Sequence, residues 1–213
     1  HRLTWDGATL IAANVGLHTW ESAYIIRKGA NYGYPLREGN ETLNQDNTTT
    51  ALPADDRIPV QITDRITAGT VAPSYPVLEY PHTREGGDAI SGGFVYRGKY
   101  IFGDITTGRV WYADLAEMIA ADDGKAGTLA KIHEMTIRWN DEVYPMMFPI
   151  VEAAYHSRGG KDPNLPGSST VSGDGRADIR FATDATGELY ILSKSDGAIR
   201  SVVSVTFEVP ARN

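Results

Sequence analysis

Five histidines, an excess of acidic residues and a complete lack of cysteine bound the chemistry open to this 213-residue chain. Without cysteine there is no disulfide, thiolate nucleophile, iron–sulfur cluster, cysteine-bound zinc or c-type haem attachment. His133 and His156 have no companions at metal-ligand spacing, and His18 reads as a surface-loop residue. His82 stands in Tyr80-Pro81-His82-Thr83 ahead of a Gly-rich strand, and reads as a packing histidine bonded to a neighbouring turn. Asp162-Pro163-Asn164 and Gly173-Asp174-Gly175-Arg176-Ala177-Asp178 resemble the opening of an EF-hand loop. The Glu that such a loop needs at its twelfth position is missing, and so are its flanking helices. An ordinary Gly/Asp turn is the better reading, with a lone calcium on Asp174 and Asp178 as the alternative. Asp104 is expected to cap the turn before Thr106-Thr107 through its own side chain. Trp5, Trp20, Trp111 and Trp139 could stack on a sugar, but large rings more often fill gaps between sheets. Asn40-Glu41-Thr42 and Asn47-Thr48-Thr49 fit the glycosylation pattern, which matters only in a eukaryotic secretory host.

The balance of 20 Lys plus Arg against 27 Asp plus Glu gives a formal charge of -7. With an acidic field and no Lys/Arg block, nucleic acid is a poor partner. Small neutral or cationic ligands suit the charge better. Hydrophobic residues make up 41% of the chain, enough for a real core. No apolar run approaches the roughly 18–20 residues that span a bilayer, so no transmembrane segment is expected. The chain opens at His1-Arg2-Leu3-Thr4-Trp5 without Met or a visible signal peptide, and a processed or truncated product is expected.

The elements that must position these residues are strands. Short runs rich in Ile, Val, Tyr, Phe and Thr recur at 8–14, 23–27, 90–96, 100–104, 109–113, 129–137, 179–183, 189–193 and 199–207, mostly bounded by Gly, Asp or Asn. Arg97-Gly98-Lys99 predicts a tight reversal, as do Thr107-Gly108 and Asp196-Gly197. Leu115–Ala121 is the one helical window, so the expected class is all-β. Loop insertions are expected near 38–59 and 158–174. Gly98–Ala113 echoes Gly187–Val202 at a spacing of about 90 residues, with a partial copy at Gly7–Ala13. A β-propeller with large blades satisfies that pattern.

Three motifs then carry a resemblance. They are Trp20-Glu21 with Gly29-Ala30-Asn31-Tyr32-Gly33-Tyr34-Pro35; Tyr80-Pro81-His82 with Ala89–Gly98, Tyr100–Asp104 and Gly108–Trp111; and Asp184, Gly187–Leu192 and Gly197-Ala198-Ile199. In order, they resemble the soluble quinoprotein glucose/sorbosone dehydrogenase family. The resemblance implies a six-bladed β-propeller of which about three blades are present, residues 1–213 forming a C-terminal part. It implies pyrroloquinoline quinone (PQQ) and calcium as cofactors, a sugar or related alcohol as substrate, and a periplasmic or secreted location. His1-Arg2-Leu3 looks like the tail of a Gly-x-Arg-Asn-Pro-His-Arg segment whose first Arg and Asn would touch the quinone. The family's catalytic histidine would lie in the missing half, so the catalytic residue of this chain is unknown.

By the same resemblance, calcium would sit partly on the backbone carbonyls of Gly16 and Leu17, which are hard donors suited to it. Arg176 and Arg109 are the candidate contacts to the quinone's carboxylates. The bland readings are a plain turn with Gly16 chosen for its backbone angles, and Arg176 as a loop arginine paired with Asp174 or Asp178. The chain departs from the family where a Lys is frequent, at Thr106-Thr107, and where an Arg-x-Arg-Asp run is reduced to Gly175-Arg176-Ala177-Asp178. Two functions therefore stand: a PQQ- and calcium-dependent dehydrogenase whose base lies outside this chain, and a non-catalytic propeller that binds a glycan or protein partner. Either needs the missing half from more chain, another subunit or a dimer.

Overall fold

The computed structural model describes residues 2–169, 171 and 173–207. Three antiparallel meanders dominate it. The first sheet joins Arg2–Trp5, Leu10–Asn14, Trp20–Ile25 and Leu78–Pro81 in that order. Ile90–Tyr96, Lys99–Asp104, Val110–Asp114 and His133–Glu134 make the second, and Ile179–Thr183, Leu189–Ser193 and Ala198–Ser201 the third. The turn residues act as the sequence leads one to expect. Asp6 Oδ1 accepts from the Ala8 and Thr9 N–H groups, which delays the second strand to Leu10. Arg97 and Gly98 both take positive φ, the geometry of a two-residue hairpin turn.

The sheets lie side by side, stitched through their first strands. Thr4 Oγ1 donates to the Gly93 carbonyl at 2.7 Å, and Ser91 Oγ to the Ile179 carbonyl at 3.1 Å. Strand alternation then feeds two cores from one sheet. Tyr100 and Phe102 pack with Ile11, Ile25, Leu78, Tyr80 and Trp111, whereas Ile101 packs with Val110, Tyr112, Ile179, Phe181, Leu189 and Ile191. Each such fully buried side chain is worth about 1.5–3 kcal/mol. Register shifts between Ser91 and Phe94, and a Cβ at Gly93 would overlap the Ile101 carbonyl oxygen. Glycine at 93 is therefore demanded by a bulge where two strands approach closely. A fan of adjacent meanders is compatible with part of a β-propeller.

Several expectations need correction. A second helix, α2 (Phe148–Ser157), joins the expected α1 (Leu115–Ala121). Pro149 starts it and Ile150 and Val151 bury its inner side, a period too short to stand out in sequence. The run 129–137 yields only His133–Glu134, followed by a hairpin of Ile137–Trp139 with Glu142–Tyr144. The final strand ends at Ser201, and Val202, Val205 and Phe207 pack against the second core instead. The segment near 38–59 is not bare loop: Arg37–Glu38, Glu41–Leu43 and Thr49–Ala51 form a small sheet, and a hairpin of Ile58–Thr63 with Ile66–Val71 follows. Of the four tryptophans only Trp111 is buried; Trp5 is 63% exposed. Among the described residues no helix is long and apolar enough to cross a membrane.

Candidate cofactor site

In the first and second sheets, the turn after the second strand lies at the same end as the loop entering the next sheet. His82 N–H donates to the Thr19 carbonyl at 2.9 Å, and Thr106 Oγ1 to Asp88 Oδ2 at 3.1 Å. Ala177 N–H donates to the Thr106 carbonyl at 2.8 Å. Loops carrying Gly16-Leu17, His82–Asp88, Thr106–Arg109 and Arg176–Asp178 thus form one connected end of the fan.

Three buried carboxylates hold that end in shape. Asp104 Oδ1 accepts from Thr106 N–H at 3.1 Å, Thr107 N–H at 2.8 Å and Thr107 Oγ1 at 2.9 Å. Its Oδ2 accepts from Asp88 N–H at 2.7 Å, Ala89 N–H at 2.8 Å and the Tyr80 hydroxyl at 3.2 Å. The expected local cap is therefore half of its role. The other half binds the incoming loop, where a Cβ on Gly87 would stand 2.5 Å from Asp104 Oδ2.

Glu21 accepts from Ile90 N–H at 2.5 Å and Gly16 N–H at 3.0 Å, and pairs with His82 Nε2. Burial pushes Glu21 above the usual carboxylate range, against the pull of His82. Burial draws His82 down, but the Glu21 carboxylate outweighs it and the imidazole sits above its ordinary value. His82 is thus a packing histidine, as its context suggests, with a buried carboxylate as partner.

Glu38 Oε1 takes the N–H groups of Leu17, His18, Thr19 and Trp20 at 2.8, 2.9, 2.7 and 3.1 Å. Burial raises this carboxyl, and the four donors more than reverse that, leaving it below its usual range. Its Oε2 is buried without a hydrogen-bond partner. Gly16 is not in the left-handed region. It is glycine because a Cβ there would overlap the Trp20 carbonyl oxygen, so close approach and not backbone angle explains it.

This geometry tests a calcium at Gly16 and Leu17. Calcium takes six to eight oxygen ligands. Among the described residues no group of three or more His, Asp or Glu could hold a metal. The orphaned Glu38 Oε2 beside the loop is one hard donor, so the loop fits calcium only where a bound ligand completes the shell.

Arg109 lies against a cavity of about 350 Å3 lined by Arg84, Thr106, Thr107, Arg109, Met146 and Phe148. Its Nη1 reaches Glu134 Oε1 at 3.2 Å, while its Nε is buried without a partner. Two arginines and two apolar side chains around one cavity suit a planar carboxylate-bearing ligand. Arg176 does not line this cavity. It packs on Gly167, its carbonyl accepts from Ser195 Oγ at 2.6 Å, and its Nη2 lies 4.0 Å from Asp178 Oδ1. Arg180 also pairs with Asp178, at 2.9 Å. His1, the start of the segment expected to approach the quinone, lies outside the described residues. His18 is exposed, His133 stacks on Tyr112, and His156 meets the Gly160 carbonyl at 3.3 Å.

Sequence reasoning missed Arg84, Glu21, Glu38 and the two apolar cavity residues. A basic residue inside the Gly-rich Thr83–Gly87 loop is the signal for Arg84. A lone acid in the otherwise uncharged strand Trp20–Ile25 is the signal for Glu21.

No protein-family model matches the chain. Among solved structures it is similar to the PQQ-bound form of aldose sugar dehydrogenase from Streptomyces coelicolor, with a TM-score of 0.45 and 16% identity. The match covers 93% of this chain and 40% of that one, a distant and partial likeness.

Proposed function

We propose that this chain is about half of a six-bladed β-propeller that, once complete, binds PQQ with calcium and oxidises a sugar or related alcohol. Residues 1–213 would be its C-terminal part, in a periplasmic or secreted protein. The observation that carries the reading is the cavity of about 350 Å3 at the loop end of the fan, lined by Arg84 and Arg109 together with Met146 and Phe148. Leu3 and Trp5, 65% and 63% exposed on the first strand, support a further blade against the first sheet.

PQQ, when bound, supplies an electrophilic carbonyl that accepts a hydride from the alcohol carbon. Arg84 and Arg109 would hold and orient its carboxylates by charge-assisted hydrogen bonds. Gly16 and Leu17 would offer carbonyl oxygens to calcium, with the unpartnered Glu38 Oε2 as a carboxylate donor, while Met146 and Phe148 would keep water from the ring. Arg176 stands on the neighbouring loop and would contribute to the field. The base that takes the hydroxyl proton belongs to the missing half.

A second reading, a non-catalytic propeller that binds a glycan or protein partner, is favoured by one observation. The Thr106 and Thr107 hydroxyls are spent on Asp88 and Asp104, and Ala177 is fully buried. None of the three offers a cation. Calorimetric titration of the complete, calcium-loaded protein with PQQ separates the two. Micromolar or tighter binding supports the dehydrogenase, and no binding by the complete protein leaves the recognition module.

A further inference from the structure

A second cavity, of about 580 Å3, lies behind the cationic one, between the outer parts of the second and third sheets. The two are separated by a thin wall. Val110 and Met147 line the larger cavity, while their chain neighbours Arg109, Met146 and Phe148 line the smaller. The wall is fixed by the Met147 N–H, which donates to the Gly108 carbonyl at 2.7 Å.

The larger cavity has the size and lining of a small-molecule site. Ile101, Tyr112, Phe181 and Ile191 form its apolar depth, and Trp139 and Val143 come over it from the 137–144 hairpin. Its charges do not balance. Arg200 pairs with Asp196, and Glu134 with Arg109. Arg138, exposed at the rim, has no ion pair among the described residues. Arg200 is 8% exposed, its guanidinium lies 5.5 Å from the Trp139 ring centroid, and its Nε is buried without an acceptor. An apolar chamber with an indole, one orphaned N–H and one cation without an ion pair at its rim suits an apolar body that carries one anionic group.

We propose that this cavity binds a small carboxylic acid with an aromatic or compact apolar body. The body stacks against Trp139 and the carboxylate pairs with Arg138, with Arg200 Nε as the second donor. The inference does not rest on the dehydrogenase reading, since it uses no residue of the cationic cavity.

The test uses 2-naphthoate as probe and 2-acetonaphthone, the same ring with an uncharged carbonyl, as its control, followed by calorimetry and tryptophan fluorescence in PQQ-free protein. Naphthoate is expected to bind more tightly than the ketone and to quench Trp139, with the quenching lost in Trp139→Phe. Arg138→Ala, a surface change that spares the fold, should weaken naphthoate roughly three- to tenfold and leave the ketone unaltered. Val143→Trp and Val205→Trp, which enter from different walls, should block both probes. Failure of naphthoate to bind overturns the proposal, as does equal weakening of both probes by Arg138→Ala. Binding that survives both tryptophan substitutions puts the ligand elsewhere and overturns it too.

Discussion

Asp104→Asn isolates the device that joins the second sheet to its incoming loop. The substitution keeps size and shape but turns one acceptor oxygen into an NH2 group. If that group takes the Oδ2 place, the N–H groups of Asp88 and Ala89 lose their acceptor, while the Tyr80 hydroxyl rotates to accept. If it takes the Oδ1 place, the N–H groups of Thr106 and Thr107 are orphaned instead, while the Thr107 hydroxyl rotates. Either way two backbone N–H donors, part-buried at Asp88 and Ala89 or buried at Thr106 and Thr107, go unsatisfied, at about 1–3 kcal/mol each. The expected loss is thus about 2–6 kcal/mol, a large part of the roughly 5–15 kcal/mol that keeps a domain folded. Urea denaturation followed by circular dichroism would read it as a lower midpoint at unchanged slope. Asp104→Ala, which removes all four acceptor contacts to backbone, should not accumulate as folded protein. A loss under about 1 kcal/mol for Asp104→Asn would refute the reasoning, because the donors would then have other partners.

Three further outcomes follow from particular contacts. Gly93→Ala should cost about 3 kcal/mol or prevent folding, since its methyl meets the Ile101 carbonyl and not a movable side chain; a thermal melt within a few degrees of the parent would contradict this. Asp56 is raised by burial, but bonds from Arg37 and the Tyr75 hydroxyl bring it below its ordinary value. A depressed carboxyl stabilises the fold above its unfolded pKa of about 3.9, and that contribution is lost as pH falls through the lower folded value. Urea midpoints should drop below about pH 4, and Asp56→Asn should flatten that drop. Asn40 donates its amide to Glu79 at 3.0 Å and accepts from Gly127 N–H at 2.9 Å, whereas Asn47 sits exposed in a turn. Secretion from a eukaryotic host should therefore add a glycan at Asn47 and not at Asn40, as peptide mass mapping would read.

What was legible in the sequence had local causes. Ile90–Tyr96, Ile179–Thr183 and Leu189–Ser193 are bounded by turn residues, the latter two also alternate against a core, and the limits of all three match. The α1 limits match as well, because Asp114 caps the helix within its own turn, accepting from Ala116 N–H. The Ile58–Val71 hairpin escaped because Ile62 and Ile66 face outward and leave no alternation to read. The local half of Asp104 was legible for the same reason as the cap. Its partners 15, 16 and 24 residues away were not, nor were those of Glu21, 61 and 69 away. Long-range partners decide which acid is a buried strut and which arginine meets a cavity. Arg109 and Arg176 look equivalent as sequence, yet only Arg109 lines the cavity with Arg84.

The most direct test of the central claim is titration of PQQ into the complete, calcium-loaded protein, compared with its Arg84→Glu/Arg109→Glu form. Both side chains sit at the cavity without a buried ion pair, so the double variant should fold. The account predicts binding by the parent and a loss of at least tenfold in affinity for the variant. Equal affinity in the two would contradict it, because the cationic cavity would then hold no part of the cofactor.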